Sequence, residues 1–303
     1  KIVFLLLTSF VFGTTSIIPA LAATTPPLGM VVGYGILSST YTNTSAGTTV
    51  NGSIGFTTGP AIAPLGVHTN YGSGAPYGAA GIDQGTLASS LNSQPCTFTF
   101  PAGPIDLSTD ITHGPIGVYA PGVYCSVGAM DIGGPLSLTG TSTYIFRPLG
   151  ALTSTAGSIV TLNGVSACDV FWTPTQATTL AANTTFFGTV IDDADITVGA
   201  GTVWTGTALS FGGTITTDTN TITVPVCVAP LATFSVIKTV INTGGGTASS
   251  SSFSLFVRLG ASNVAGSPAF GTSSPGTTYS LTAGAYTVSE AATSSYSQSF
   301  SGD

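Results

Sequence analysis

The stretch YIFRPLGALTSTAGSIVTLNGVSACDVFWTPTQATTLAANTTFFGTVIDDADITVGAGTVWTGTALSFGGTITTDTNTITV, Tyr144 to Val224, decides how the chain is read. It is a series of short strand-like segments, each closed by a turn of small residues. One position in each turn, Ser158, Asn183, Thr202 and Asn220, recurs at intervals of 25, 19 and 18 residues. One position in the apolar segment that opens each unit, Ile145, Val170, Val190 and Ala208, recurs at 25, 20 and 18. Two independent markers that keep step over strands and tight turns predict stacked coils, a β-solenoid.

Each unit contains three strand-like pieces. The first is mostly apolar, as in Thr143-Tyr-Ile-Phe146 and Asp169-Val-Phe-Trp172. The second and third alternate, as in Ile196-Thr-Val198 and Val203-Trp-Thr205. Alternation with period two sends one set of side chains into the bore and the next set out. The outward members of the second piece are then Thr153, Thr179, Thr197 and Thr216. Stacked coils lie one strand spacing apart, about 4.8 Å, so these threonines are expected to form a ladder up one face. Threonine is also simply a favourable exposed strand residue. What argues for a task is the near absence of the Lys and Glu that keep an ordinary solvated sheet soluble.

The run Gly117-Val-Tyr-Ala-Pro-Gly-Val-Tyr124, then Leu136-Ser-Leu-Thr-Gly140, Tyr144-Ile-Phe146, Val160-Thr-Leu-Asn-Gly164, Asp169-Val-Phe-Trp172, Thr184-Thr-Phe-Phe-Gly-Thr-Val-Ile191 and Thr205-Gly-Thr-Ala-Leu209 resembles the microbial β-helical ice-binding (antifreeze) proteins in order and spacing, from Leu28 to Cys227. The resemblance implies an all-β fold: a right-handed, discontinuous, triangular β-helix with one flanking α-helix. It also implies a flat face that binds ice, with a T-A/G-x-T/N motif at its turns in some members. The matching turns here are Thr155-Ala-Gly-Ser158, Leu180-Ala-Ala-Asn183, Gly199-Ala-Gly-Thr202 and Thr217-Asp-Thr-Asn220; they keep the motif only in part. The expected ice-contacting residues are Thr153, Thr155, Ser158, Thr179, Asn183, Thr185, Thr197, Thr202, Thr205, Thr216 and Asn220. Threonine suits such a surface: its hydroxyl holds a water, its methyl excludes disordered ones, and its stiff χ1 loses little entropy on binding.

The rest of the chain fits an exported protein. Ile2 to Phe12 is an apolar run behind Lys1, and Ala20-Leu-Ala22 offers an A-x-A cleavage site, so residues 1–22 read as a signal peptide. The run is short for a membrane span. The expected location is secreted, extracellular or cell-surface. The only basic residues are Lys1, Arg147, Lys238 and Arg258, against a net charge of −7, which argues against nucleic acid. Cys96, Cys125, Cys168 and Cys227 show no C-x-x-C spacing, and His68 and His113 are the only histidines, so neither a metal nor a cofactor is expected. Four cysteines allow three pairings. Cys96–Cys125 with Cys168–Cys227 would staple neighbouring coils, but the sequence leaves the choice open.

Leu28 to Asn70 reads as cap and first coils, and Gly81 to Leu91 as the helix, with Ile82, Leu87 and Leu91 on one stripe. Phe98, Phe100, Ile105, Leu107 and Ile111 alternate as a returning strand. After a linker at 228–232, residues 233–303 carry separate strand patterns at sandwich spacing: Phe234 to Val240, Phe253 to Val257, Thr278 to Leu281 and Ala285 to Ser289. Val236-Ile-Lys-Thr239 and Gly284-Ala-Tyr-Thr-Val-Ser-Glu290 resemble the prealbumin-like or Cna-B-type domain of microbial surface proteins. That resemblance implies a small β-sandwich, truncated here, that serves as stalk or spacer. It also implies Lys238 and Glu290 as the lysine and assisting acid of an isopeptide, or else Lys238 as an ordinary strand lysine.

No G-x-S-x-G, H-E-x-x-H or P-loop is present. Asp192, Asp193 and Asp195 form the one acidic cluster; paired carboxylates can cleave glycosides or hold calcium, but a solvated turn is the simpler reading. His113 and Arg147 read as a loop residue and a strand-end charge. The expectation is a monomeric, non-enzymatic protein whose partner is the ice crystal surface. A cell-surface adhesin or carbohydrate-binding solenoid is the alternative, and a polysaccharide-cleaving enzyme a third.

Overall fold

The computed structural model describes residues 22–227, 231–282, 285–291 and 296–301. All but the last residue of the expected signal segment, and residues 228–230 of the expected linker, lie outside them. The chain divides into two compact units, Lys1–Cys227 and Val228–Asp303.

The first unit is a β-solenoid whose strands stack in parallel through register-matched ladders. The inward ladder of the first face runs Phe98, Tyr124, Phe146, Trp172, Val190, Ala208, Ile36, Ile54. The bore is therefore filled by like on like, and the rings of Phe146 and Trp172 stack with centroids 4.2 Å apart. From the other two sides, Leu152, Ile196, Ile215, Val160, Phe186, Trp204 and Ile222 complete the same core. The order of coils in space is not the order in sequence. Strand Tyr34–Asn43 lies parallel to Val203–Thr217, and Thr49–Asn51 to Thr221–Thr223. The N-terminal residues thus stack on the last coil of the repeat, while Phe98–Thr99, Ile105–Asp106 and Val118–Tyr119 form the opposite end.

Helix Tyr77–Asn92 begins before the expected Gly81. Its buried residues are Tyr77, Ala80, Gln84, Leu87 and Leu91, at alternating spacings of three and four. Ile82, expected on that stripe, is exposed. The inner stripe is carried instead by small and polar residues, Ala80 and Gln84, which apolar periodicity alone does not find. The helix packs on Leu37, Val123, Ile145, Phe171, Ile191 and Leu209, the outward side chains of the first face, so that face is covered.

Cys96 is bonded to Cys125 and Cys168 to Cys227. Two other readings change. Ile111 is exposed and outside any strand, because the Asp110 carboxylate accepts from the backbone N–H groups of Thr112 and His113 and turns the chain there. Arg147 is more than a strand-end charge: its guanidinium donates to the carbonyls of Asn92, at 2.5 Å, and Gln94, at 3.1 Å, and so holds the end of the helix to the solenoid. His113 is a loop residue, as expected, and its ring stacks on Tyr119 with centroids 3.8 Å apart.

In the second unit, Ala232–Val236 pairs antiparallel with Thr277–Leu281. Ser254–Leu259 pairs antiparallel with Ser262–Asn263, Ala269–Phe270 and Tyr286–Glu290. Val257, Tyr279 and Leu281 form its core. Lys238 Nζ donates to Glu290 Oε2 at 2.5 Å and lies over the Phe253 ring.

Candidate functional site

With one face under the helix, two faces of the solenoid remain open. On the second, each short strand turns a single central side chain outward between two buried ones: Thr179 and Thr197 are exposed, while Thr153 and Thr216 are half-buried. The registers place Thr153 beside Thr179, Thr179 beside Thr197, Thr197 beside Thr216 and Thr216 beside Thr42. Five threonines on five successive coils therefore form one row, with rungs about 4.8 Å apart. Thr42 was invisible to the repeat pattern because it belongs to the N-terminal strand. Its neighbour Thr40 pairs with Thr214, which widens the threonine surface at that end. At the other end the row meets Asp131, which pairs with Thr153, and then Asp106.

The other expected site residues divide. Thr155 is exposed, at the turn beside Thr153. Asn183 is exposed at a turn apex in the left-handed region, φ 57°. Thr185 and Thr205 lie on the third face, in register with Val203 and Phe187 respectively. Val203 and Ile159 are about half exposed there, so this face is a mixture of threonine and large apolar side chains. Ser158, Thr202 and Asn220 are buried, and this corrects their expected place on the outer surface. The cause is the turn: a positive φ at Gly157, Gly201 and Thr219 reverses the chain, and the next side chain points inward. Inside, Ser158 Oγ faces Thr184 Oγ1 at 3.5 Å, and the other two bond to carbonyls of the preceding coil. Thr202 Oγ1 donates to Ala181 O at 3.1 Å and Asn220 Nδ2 to Gly199 O at 2.6 Å, as buried polar groups require.

The acidic cluster also divides. Asp193 and Asp195 are exposed, but Asp192 is 1 % exposed, against the reading of a solvated turn. Its Oδ2 accepts from Thr178 Oγ1 and its Oδ1 from the Ala194 N–H, each at 2.8 Å. Burial pushes its carboxyl up to about 6, and the charges of Asp193 and Asp195 add to the rise. Among the described residues, no group of three or more His, Cys, Asp or Glu side chains could hold a metal ion.

A family model described as ice-binding-like matches residues 36–223. The chain belongs to the ice-binding-like family. A relative named ice-binding protein, from Flammulina populicola, is 27% identical over 214 residues, 64% of this chain and 87% of its own length. The crystal structure of an ice-binding protein from the Antarctic ascomycete Antarctomyces psychrotrophicus superposes with a TM-score of 0.57 at 25% identity, over 67% of this chain and all of that one. That of an ice-binding protein from an Antarctic Flavobacteriaceae bacterium gives 0.59 at 28%, over 68% of this chain and 51% of that one. The matched span of this ice-binding-like chain includes the whole threonine row, Thr42 to Thr216, and stops short of the second unit.

Proposed function

We propose that the protein is exported and adsorbs to ice through the threonine row of the second face, stopping local growth and inhibiting recrystallisation. The observation that carries this reading is the unbroken register of Thr153, Thr179, Thr197, Thr216 and Thr42 on an open face. A lattice of water is matched by a lattice of hydroxyls and methyls only if the repeat is rigid, and in-register stacking supplies that rigidity. Every rung is β-branched, so little rotamer freedom is lost on contact. The third face offers a weaker match, because Phe187 and Ile159 break its threonine columns with bulk. Export is supported by the apolar run before Ala20-Leu-Ala22 and by two disulfides.

The C-terminal unit we read as a prealbumin-like or Cna-B-type β-sandwich that attaches or spaces the ice-binding unit, as in an adhesin. The close Lys238–Glu290 pair supports an isopeptide role for the two residues. Mass spectrometry would read a bond from Lys238 to an asparagine side chain, with Glu290 as the assisting acid, as the loss of one ammonia, the amide nitrogen being the leaving group.

The test is thermal hysteresis and recrystallisation inhibition of the protein beside Thr179→Tyr, Thr197→Tyr and, as a control on the third face, Thr205→Tyr. A tyrosine ring stands well proud of the neighbouring threonines and holds the face away from ice. Loss of activity in the first two, with Thr205→Tyr active and all three folded, is the expected result. Loss in Thr205→Tyr alone would move the site to the third face. A folded parent without activity would end the ice reading.

A further inference from the structure

The threonine row ends abruptly, and the residue that ends it is chemically engaged with the row. Asp131 occupies the next rung after Thr153, in strict register with it. Thr153 Oγ1 donates to Asp131 Oδ1 at 2.6 Å, and Thr155 Oγ1 reaches Oδ2 at 3.5 Å. The Thr153 hydroxyl has one hydrogen. Given to the carboxylate, it is withheld from any water on the outer surface. Among the described residues, no comparable bond to another side chain ties the hydroxyls of Thr179, Thr197, Thr216 or Thr42.

Asp106, one rung further out, differs in kind. Its carboxylate accepts from the Ser108 N–H and hydroxyl, from the Thr109 hydroxyl and from the Gly133 N–H. Those bonds stabilise a turn. Asp131 has no such set; its side-chain partners are the hydroxyl of the last threonine of the row and that of Thr155 at the adjoining turn.

We propose that Asp131 sets the boundary of the ice-contacting row. The proposal rests on the reading of the second face as the ice-binding one, and it adds a residue that determines the extent of that site. The carboxylate acts in two ways. It consumes the donor of the last threonine, and it carries a hydration shell that an approaching solid surface must strip at a cost. The fold itself permits a longer row, since the strand Met130–Ile132 places the same outward position on the same face.

The experiment compares thermal hysteresis of the full chain with that of Asp131→Thr and Asp131→Asn, with Thr179→Tyr measured beside them. Asp131→Thr adds a sixth rung to the five and frees Thr153, so hysteresis should rise by at least about 1.2-fold, in proportion to contact area. Asp131→Asn keeps an acceptor for Thr153, and so keeps the local structure, while removing the charge; it should rise as well, by less. If both variants fold and neither exceeds the parent while Thr179→Tyr is inactive, the boundary proposal is wrong and the assignment of the face stands. If Thr179→Tyr retains full activity, the assignment of the face fails, and the boundary proposal with it.

Discussion

Replacing Asp192 by asparagine should stabilise the solenoid at neutral and alkaline pH and flatten its pH dependence. The folded carboxyl sits near 6, chiefly through burial, against about 3.9 for an unperturbed aspartate. A folded-state pKa above the unfolded one means that the stabilising contribution is complete below the lower value. It is lost as pH rises through the upper one. The gap of about 2 units corresponds to about 3 kcal/mol between the two limits. Solvent reaches the exposed neighbours Asp193 and Asp195, and the screening it brings reduces the effect to about 1.5 kcal/mol. Asparagine can keep both hydrogen bonds: its carbonyl accepts from Ala194 N–H and its amide donates to the Thr178 hydroxyl. In thermal melts of the parent, the midpoint should rise by about 1.5–3 °C between about pH 8 and about pH 5, since about half of the full effect accrues by the lower pH. In Asp192→Asn most of that slope should vanish, with the variant the more stable of the two at the higher pH. Parallel curves across this range, or a variant less stable than the parent at about pH 8, would refute the argument that a buried charge is being carried there.

Three further outcomes follow from packing and cross-links. A Cβ on Gly206 would collide with the carbonyl oxygen of Gly188 and the indole nitrogen of Trp204; backbone cannot yield there, so Gly206→Ala should cost about 2 kcal/mol or more in a denaturant titration. Loss of the Cys168–Cys227 disulfide, which spans 59 residues, should cost about 4 kcal/mol on a chain-entropy basis; double-serine variants compared by calorimetry should show it costing slightly more than loss of Cys96–Cys125, which spans 29. Arg147→Ala removes the donors to the carbonyls of Asn92 and Gln94, worth about 1–3 kcal/mol for charged hydrogen bonds; hydrogen exchange should accelerate first in the last turn of helix Tyr77–Asn92, whereas uniform exchange across the solenoid would contradict that local role.

Period and alternation, both properties of the sequence, determined the coil, its core and four of the five threonines in the row. That is because a strand side chain points in or out by parity alone, so Thr153, Thr179, Thr197 and Thr216 share a face once the coils stack. Tertiary structure decided the rest. Thr42 joins the row only because the N-terminal strand pairs with a strand more than 160 residues later, at the register Thr42 to Thr216, and local spacing carries no trace of that pairing. Ser158, Thr202 and Asn220 match the turn pattern as well as any surface residue does, yet a left-handed residue before each turns it inward, where Thr202 and Asn220 bond to backbone carbonyls. The choice of face likewise came from outside the repeat. Helix Tyr77–Asn92, whose inner stripe is built on Ala80 and Gln84 as much as on leucine, covers one side. It leaves open the side where small β-branched residues stand in register, because only the apolar outward residues of the first strands gain by being buried.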